Sequence, residues 1–296
     1  MNKKITFITP CFCRGADCSD SGEPEIRPAS IRGQLHWWFR ALGGTWEEEN
    51  SIFGTVHCEV RASKVVIRVR SALNPRTENA PTLPHKTGGL AAQKKAIASG
   101  ESFEVLVSWR FQPTESEKRA FERAFHAWLL MGALGLRATR GGGNFSFEGQ
   151  PGTLKEYEAE LIRITDRTQL TARISNSSYR DAESARRVIT DTLGGPAGCR
   201  MGSSADAESA RRVVTDTLGG LDELRNPLGC IKPKRKTSPL RFRIVKLNGA
   251  FHIVAVWDGR SEVTGNQEND FYSAIDILLE KHKRIGNILD ECFPAE

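Results

Sequence analysis

Three side chains that can carry positive charge follow one another at four-residue spacing near the start of the chain. Arg32, His36 and Arg40 share one face of a helix predicted to begin at Pro28, because residues four apart lie above one another on a helix. Trp37 lies beside this face. Guanidinium groups bind phosphates and an indole ring stacks on a base, so these residues have the chemistry of a nucleic-acid surface. The alternative is an amphipathic helix whose basic side is only solvated.

A glycine triplet between basic residues is the second segment whose residues could bind an anion. Glycine lets backbone N–H groups approach a phosphate closely, because no Cβ stands in the way. The segment lacks the Lys-Ser/Thr of a phosphate-binding P-loop and does not follow a strand as a dinucleotide fingerprint does. A nucleotide-binding enzyme is therefore poorly supported, and a flexible connector is the alternative. The residues predicted here to contact nucleic acid are Arg137, Arg140, Gly141, Gly142, Gly143 and Asn144.

A third basic segment precedes the C-terminal part of the chain. It runs from Lys232 to Lys236, and Lys234, Arg235 and Lys236 are its candidate contacts to a polyanion. A solvated linker is the alternative interpretation, because charge runs usually face water.

Composition favours an anionic partner in the cytosol. The 296 residues include 42 Lys and Arg against 36 Asp and Glu, a formal net charge of +6, and the isoelectric point is about 9.0. Such a chain binds nucleic acid more readily than basic partners. No apolar run approaches the roughly 18 residues that span a bilayer, and the first residues do not form a signal peptide. We expect a cytoplasmic protein with no membrane partner.

The cysteines indicate reduced thiols. Seven are scattered along the chain, an odd number that fits no disulfide framework. Zinc ligands are conceivable among Cys11, Cys13, Cys18, His57 and Cys58. The paired C-x2-C spacing of zinc sites is missing, so we expect neither a metal nor a cofactor.

The first half reads as alternating strands and helices. A strand is predicted over residues 4–9, the helix from Pro28 to Gly43, a short acidic helix over 45–53 and a strand over 64–70. Residues 72–100 are predicted to form a long insertion loop. Strict alternation marks a strand over 103–111, and Thr114 with Glu117 forms a capping box before the next helix. A strand over 144–147 completes the order β-α-β-β-α-β, a ferredoxin-like unit.

The second half is less regular and contains a duplication. Thr153 and Glu156 mark another capping box. The sequence of residues 181–195 is repeated at residues 206–220 with one difference, Ile189 against Val214. Each copy is predicted to be a helix ended by two glycines. Asn248-Gly249 predicts a hairpin turn, and residues 270–289 a final amphipathic helix. We divide the chain at residue 150, into an N-terminal domain of residues 1–150 and a C-terminal domain of residues 151–296.

Several segments together resemble the RAMP superfamily of CRISPR proteins, and within it a subunit of the type III-B (Cmr) effector complex. The resemblance is specific over the first 150 residues, thinner over 225–260 and absent over the duplicated helices. It implies an α+β, tandem ferredoxin-like (RRM-like) fold whose second unit is degenerate and carries helical insertions. The segments are Thr9-Pro10, Gly15-Ala16-Asp17, Glu25 to Leu42, Phe53-Gly54, the glycine-rich loop and Ser238-Pro239-Leu240.

The resemblance also implies a function. The expected role is a non-catalytic subunit that binds guide RNA near its 3′ portion, with complementary target RNA and other RAMP subunits as partners. Two positions depart from the family pattern. His36 stands where arginine is favoured, and a histidine of ordinary pKa is mostly neutral at pH 7. Gly142 stands where an aromatic residue is common, which leaves base stacking to Phe145 or Trp37.

Two other functions are open at this point. In an RNA-cleaving RAMP enzyme, His36 would act as general base, or Asp17 or Asp20 would position a metal ion or the scissile phosphate. In a protein–protein adaptor, exposed aromatic residues and the final helix would form the docking surface. The aromatic candidates for that surface are Trp37, Trp46 and Phe53.

Overall fold

The structure is a computed structural model that describes residues 1–15, 22–57, 59–71, 74–82, 93–194, 240–260 and 263. It is a mixed α+β protein with antiparallel sheets, as the sequence predicts. The first half has the predicted order β-α-β-β-α-β, to which a second helix and a hairpin are added. Its elements are β1 (Asn2–Phe7), α1 (Pro28–Ala41), α2 (Trp46–Phe53), β2 (Val65–Ser71), β3 (Thr77–Pro81), β4 (Gln93–Ile97), β5 (Ser102–Trp109), α3 (Glu115–Met131) and β6 (Phe145–Phe147).

Four of these strands form one sheet in the order β2-β5-β1-β6. All neighbours are antiparallel, and the register pairs Lys4 with Glu104 and Ile67 with Val107. The alternation read from the sequence is the reason: Phe103, Val105 and Val107 of β5 all point into the core, because successive side chains of a strand face opposite sides.

Helices α1 and α3 cover the buried face of this sheet. Trp38 and Trp128, one from each helix, are fully buried, as is Phe121. The predicted capping box of Thr114 and Glu117 begins α3, and Thr45 with Glu48 forms a further capping box, which the sequence analysis did not single out, at the start of α2. By contrast, α1 begins after Arg27 without a side-chain cap and has no acidic residue in its first turn.

The prediction of a long loop over residues 72–100 is wrong. The segment contains the hairpin strands β3 and β4, which pair from Thr77 with Ile97 to Pro81 with Gln93. Proline cannot donate a ladder hydrogen bond and usually ends a strand, and Pro81 stands at the last position of β3. The prolines that suggested a loop therefore delimit a strand here.

The second half forms a three-stranded sheet in the order β7-β9-β8, again antiparallel. The hairpin prediction at Asn248-Gly249 is confirmed: both residues have positive φ, 47° and 86°, as a type I′ turn requires. The second copy of the repeat and residues 270–289 lie outside the described residues. The elements are α4 (Leu154–Thr165), β7 (Leu170–Ile174), α5 (Ala182–Gly194), β8 (Leu240–Leu247) and β9 (Ala250–Asp258).

Strand β8 links the two halves, because its two faces meet different surroundings. Arg243 and Val245 face the main core, which also contains Trp128 and Phe145. Phe242 and Ile244 face a second apolar cluster that includes Ile189 of α5. Within the described part of the chain, no helix combines the length and the apolar character needed to cross a membrane.

Candidate nucleic-acid interface

The basic face of α1 packs against α2 instead of facing solvent. Arg32 donates to the carbonyl of Phe53 and, at 3.1 Å, to Ser63 Oγ. His36 Nδ1 lies 2.5 Å from Glu49 Oε1, and Arg40 Nε lies 3.4 Å from the second oxygen of Glu49. The nearly buried carboxylate of Glu49 thus binds two of the three side chains predicted to contact nucleic acid. Of the three side chains, only Arg40 is exposed, whereas Arg32 and His36 are half-buried.

Burial also affects the protonation of this face. It lowers the pKa of His36 below its ordinary value, and the hydrogen bond with Glu49 opposes part of this fall. The His36 ring lies 4.2 Å from the Phe53 ring, centroid to centroid. His36 is therefore neutral at physiological pH and belongs to the contact between α1 and α2.

Trp37 is half-buried, and a guanidinium from the second half of the chain covers its ring. The Cζ atom of Arg241 lies 3.5 Å from the ring centroid, and that of Arg260 lies 5.6 Å away. Arg260 in turn binds the buried Asp258 at 2.8 Å. The ring face predicted to stack on a base is thus occupied by Arg241.

The glycine turn is held tightly by the fold. Gly143 has φ of 59°, and a Cβ atom on it would lie 1.9 Å from the Leu134 carbonyl oxygen, so only glycine fits. Gly142 donates its N–H to the Arg137 carbonyl and Gly143 donates to the Pro10 carbonyl. These two backbone donors are satisfied internally, which differs from the expectation that they face a phosphate.

Two further predicted contacts are buried. Asn144 is fully buried: its N–H donates to Thr9 Oγ1 at 2.8 Å, and its Oδ1 accepts the N–H of Ile244. Phe145 is also fully buried and cannot stack on a base. Both residues therefore anchor the turn to the core, which differs from the predicted RNA contact of Asn144 and the predicted base stacking of Phe145.

The two arginines of the turn remain half-buried at its surface. Arg137 has φ of 64°, in the left-handed region. The pKa of Arg140 is lowered by burial and by the nearby charge of Arg137. Both side chains stay close enough to the surface to meet an anion.

Trp37 and the glycine turn contact the same strand from opposite sides. Trp37 meets Arg241, on the face of β8 directed at the main core. A Cβ atom on Gly141 would lie 3.2 Å from Ile244 Cδ1, on the other face. The aromatic part of α1 and the glycine turn, both predicted to contact nucleic acid, therefore do not form one shared groove.

The N-terminal end of α1 does converge with the start of the glycine loop. Between them lies a cavity of about 320 Å³. Four of the lining side chains are basic, and Arg27 and Ser30 bring the first turn of α1 to its wall. The positive end of a helix dipole favours anions at such a place. The cavity is lined by Phe12, Cys13, Arg14, Gly22, Arg27, Ser30, Lys94, Lys95, Gly135 and Leu136.

The sequence patterns did not indicate the basic residues of this cavity as candidate RNA contacts. Arg27 directly precedes the predicted helix and lies five residues before Arg32, the first residue of its basic face. Lys94 and Lys95 lie on β4, in the region read as a loop. Lys95 also pairs with Glu23 across the rim. A strand signal over residues 93–97 would have been the clue.

Several other candidates lie outside the described residues: Lys234, Arg235, Lys236, Asp17, Asp20, Cys18 and Cys58. Cys11 and Cys13 are free thiols, and among the described residues no three His, Cys, Asp or Glu side chains come together as metal ligands. Of the aromatic residues proposed for docking, Trp46 is 55% exposed and Phe53 is buried.

Comparison with known proteins identifies relatives of the first half. Residues 4–146 match the model of the RAMP superfamily. The CRISPR system Cmr subunit Cmr1-1 of Pyrococcus furiosus is 28% identical over 141 residues, which are 41% of this chain and 40% of that protein. Subunit Cmr1-2 of the same organism is 40% identical over 73 residues, 22% of this chain and 36% of that protein. The matches thus span about two fifths of the curated relatives.

Solved structures extend the likeness in fold to nearly the whole chain. The crystal structure of Cmr1 from Pyrococcus furiosus in its apo form superposes with a TM-score of 0.58 at 19% identity, covering 94% of this chain and 96% of that chain. A chain in the cryo-EM structure of the type III-B Cmr-beta complex bound to cognate target RNA gives 0.56 at 10% identity, covering 93% and 99%. At these identities the likeness establishes the fold alone.

Proposed function

We propose that the protein is a RAMP superfamily member, which the match of residues 4–146 to the model of that superfamily supports, and that it is a non-catalytic RNA-binding subunit of a type III-B CRISPR (Cmr) effector complex. In this role it holds guide RNA near its 3′ portion, beside other RAMP subunits, and assists the capture of complementary target RNA in antiviral defence. A cytoplasmic location belongs to the same proposal.

The relatives support this assignment in two ways. Both curated relatives are Cmr subunits. The Cmr-beta complex that contains a chain of similar fold was solved with cognate target RNA. RNA is thus the polyanion that the basic isoelectric point of this chain suggests.

The cationic cavity is the single observation that carries the proposal. Arg14, Arg27, Lys94 and Lys95 line one recess at the N-terminal end of α1, and Glu23 at its rim pairs with Lys95. An open recess with several cations and an apolar floor suits an unpaired nucleotide, because the cations bind its phosphate while the base leaves water. A stacked duplex would not enter it.

The second half supports the tandem ferredoxin-like fold that we include in the proposal. Its elements β7, α5, β8 and β9 repeat the order β-α-β-β of the first half. Its sheet order β7-β9-β8 also matches the order β1-β5-β2 of the first sheet. Helix α4 is an addition to this unit, and the described residues contain no fourth strand for it.

RNA binding by cavity variants tests the proposed function. Arg27→Ala and Lys94→Ala are compared with Arg68→Ala, an exposed residue of β2 that does not line the cavity and loses the same charge. Fluorescence anisotropy with single-stranded guide RNA at several salt concentrations gives affinity and its salt dependence. We expect weaker binding for all sequences and a salt slope smaller by about 0.7 per lost contact. An RNA affinity and a salt slope equal to those of Arg68→Ala would contradict the assignment of RNA binding to the cavity.

A cleavage assay tests the non-catalytic part of the proposal. The contacts of His36 with Glu49 and Phe53 support a structural role for this candidate base. Purified protein is incubated with guide precursor and with guide-paired target, with and without Mg²⁺. We expect intact RNA in every case. Defined cuts that disappear in His36→Ala would establish an RNA-cleaving RAMP enzyme instead.

A further inference from the structure

Arg186 of α5 is a buried arginine whose charge is poorly compensated. Its side chain is 1% exposed. Nη2 donates to the Thr82 carbonyl at 3.2 Å, whereas Nε and Nη1 have no hydrogen-bond acceptor. The nearest carboxylate is Glu183, whose Oε2 lies 3.7 Å from Nη1. A guanidinium has five N–H donors, and buried donors without acceptors call for an explanation.

The glycine turn brings two more arginines to the same place. A Cβ atom on Gly141 would lie 3.4 Å from Cγ of Arg186, and one on Gly142 would lie 3.2 Å from Cβ of Arg137. Arg140 directly precedes these glycines. Small residues thus let arginines from both halves of the chain flank a single turn.

The charges of these arginines repel one another. Burial lowers the pKa of Arg186, Glu183 opposes this fall, and the charge of Arg137 adds to it. The pKa of Arg140 is likewise lowered by burial and by Arg137. A group of like charges with unsatisfied buried donors costs stability in the free protein.

We propose that Arg186, Arg137 and Arg140 form a binding site for one phosphate group of the RNA backbone. A phosphate oxygen supplies the acceptors that Arg186 lacks, and its negative charge removes the repulsion between the arginines. That the phosphate belongs to RNA rests on the function proposed above. The site itself rests only on the arrangement of these side chains.

The site is next to the cationic cavity. Phe12 lines that cavity, and the Cζ atom of Arg186 lies 5.2 Å from the centre of the same Phe12 ring. An RNA strand with one nucleotide in the cavity therefore passes close to the arginines of the glycine turn. The two sites together account for adjacent phosphates of one strand.

The duplication determines how the site must be tested. Arg186 corresponds to Arg211 in the second copy of the repeat, and Arg187 corresponds to Arg212. The test variant is therefore Arg186→Met with Arg211→Met. The control is Arg187→Met with Arg212→Met, which removes the same charge from a side chain that is 66% exposed in the first copy.

Urea unfolding of the full chain in sodium phosphate and in sodium chloride of equal ionic strength measures the effect. We expect phosphate to raise the unfolding midpoint of the natural protein and of the control. The test variant should have a higher midpoint than the natural protein in chloride, because a methionine replaces a poorly compensated buried charge, and no increase specific to phosphate. Arg140→Ala should also lose most of that increase.

Four results would overturn the proposal. A lower midpoint of the test variant in chloride, or its failure to fold, would mean that Arg186 is needed for the fold itself. A phosphate effect of equal size in test variant and natural protein, or no phosphate effect in the natural protein, would exclude the site.

RNA binding separates this inference from the proposed function. We expect the test variant to bind single-stranded guide RNA about tenfold more weakly than the control, as the loss of a charge-assisted hydrogen bond predicts. RNA binding that depends on Arg27 and Lys94 but not on Arg186 and Arg211 would refute the phosphate site and leave the proposed function standing. Absence of RNA binding in the natural protein would refute the function, whereas the phosphate comparison would still test the site.

Discussion

The guanidinium carbon of Arg241 lies 3.5 Å from the centre of the Trp37 indole ring. This contact joins β8, in the second half of the chain, to α1 in the first. Burial lowers the pKa of Arg241 to about 10, and the charge of Asp258 opposes part of that fall. The side chain is therefore charged at neutral pH, and the contact is a cation–π interaction between the two halves.

Replacing Arg241 should weaken the association of the two halves. We expect Arg241→Ala to lower the free energy of unfolding by about 2 kcal/mol, the value of a partly desolvated cation–π contact. Lys246→Ala, on an exposed position of the same strand, serves as control and should change it by less than about 1 kcal/mol. Urea unfolding followed by tryptophan fluorescence measures both. Equal effects of the two substitutions would contradict the assigned contact.

Arg243 should be more important to the fold than Arg241. Its guanidinium donates to the carbonyls of Gly132 at 2.6 Å and Phe145 at 2.7 Å, at the C-terminal end of α3 and in β6. Arg243→Met leaves these buried acceptors unsatisfied, so we expect a loss of about 3 kcal/mol in unfolding free energy. The change in unfolding free energy is thus opposite in sign to the one expected for Arg186→Met, because Arg186 donates to one carbonyl only. A stabilising Arg243→Met would contradict this distinction.

Two glycine substitutions should act in opposite directions. Gly143→Ala places a methyl group against the Leu134 carbonyl and forces alanine into a left-handed backbone, so we expect a protein that does not fold or loses several kcal/mol. Gly33 lies within α1 with open space around it. Gly33→Ala should therefore stabilise by about 0.5–1 kcal/mol. Thermal unfolding followed by circular dichroism compares the two, and a tolerated Gly143→Ala would show that the turn can rearrange.

His36 should make the protein less stable in mild acid. Its pKa is lowered in the folded state, mainly by burial, whereas in the unfolded state it is about 6.5. As the pH falls below about 6.5 the unfolded chain takes up the proton first, so stability decreases until the folded pKa is passed. His36→Gln should reduce the loss of urea midpoint between about pH 7.5 and 5.5. The same loss in both proteins would contradict the assignment.

Either copy of the duplicated segment should be able to fill the place of α5. Ala185 is fully buried in that place, and its counterpart in the second copy is Ala210. The copies differ only by Ile189 against Val214, a change that costs about 0.5–1.5 kcal/mol in a core. Ala185→Asp should therefore cost little, Ala210→Asp nothing, and the double variant far more than their sum. Additive effects in urea unfolding would show that the copies are not interchangeable.

Local patterns were sufficient for most of the elements. The alternation of β5, the capping boxes of Thr114 and Thr153 and the Asn248-Gly249 turn depend on neighbours within a few residues, and all four appear as predicted. The hairpin over residues 77–97 was missed because the strand propensity of its two short segments is weak and Pro81 at the end of β3 resembles a loop signal. Pairing with a partner strand, which no local pattern records, makes these segments strands.

The functional residues were harder to predict for the same reason. Arg32 and His36 have the right chemistry and spacing, but α2 brings the Phe53 carbonyl and Glu49 to them, so that both side chains make their hydrogen bonds inside the protein. Lys94 and Arg27 are far apart in sequence and become functional candidates only because one cavity includes both.

By itself the sequence determined the α+β class, the order of elements in the first half, the basic character of the protein and its resemblance to the RAMP superfamily. These properties depend on composition, short-range periodicity and motif spacing. Only the tertiary structure decided which cations line an open cavity and which are bound inside the protein, because burial and charge compensation depend on side chains that distant segments bring together. Arg186 illustrates this: the sequence predicts only that it lies in a helix, whereas packing against the glycine turn leaves its charge buried and poorly compensated.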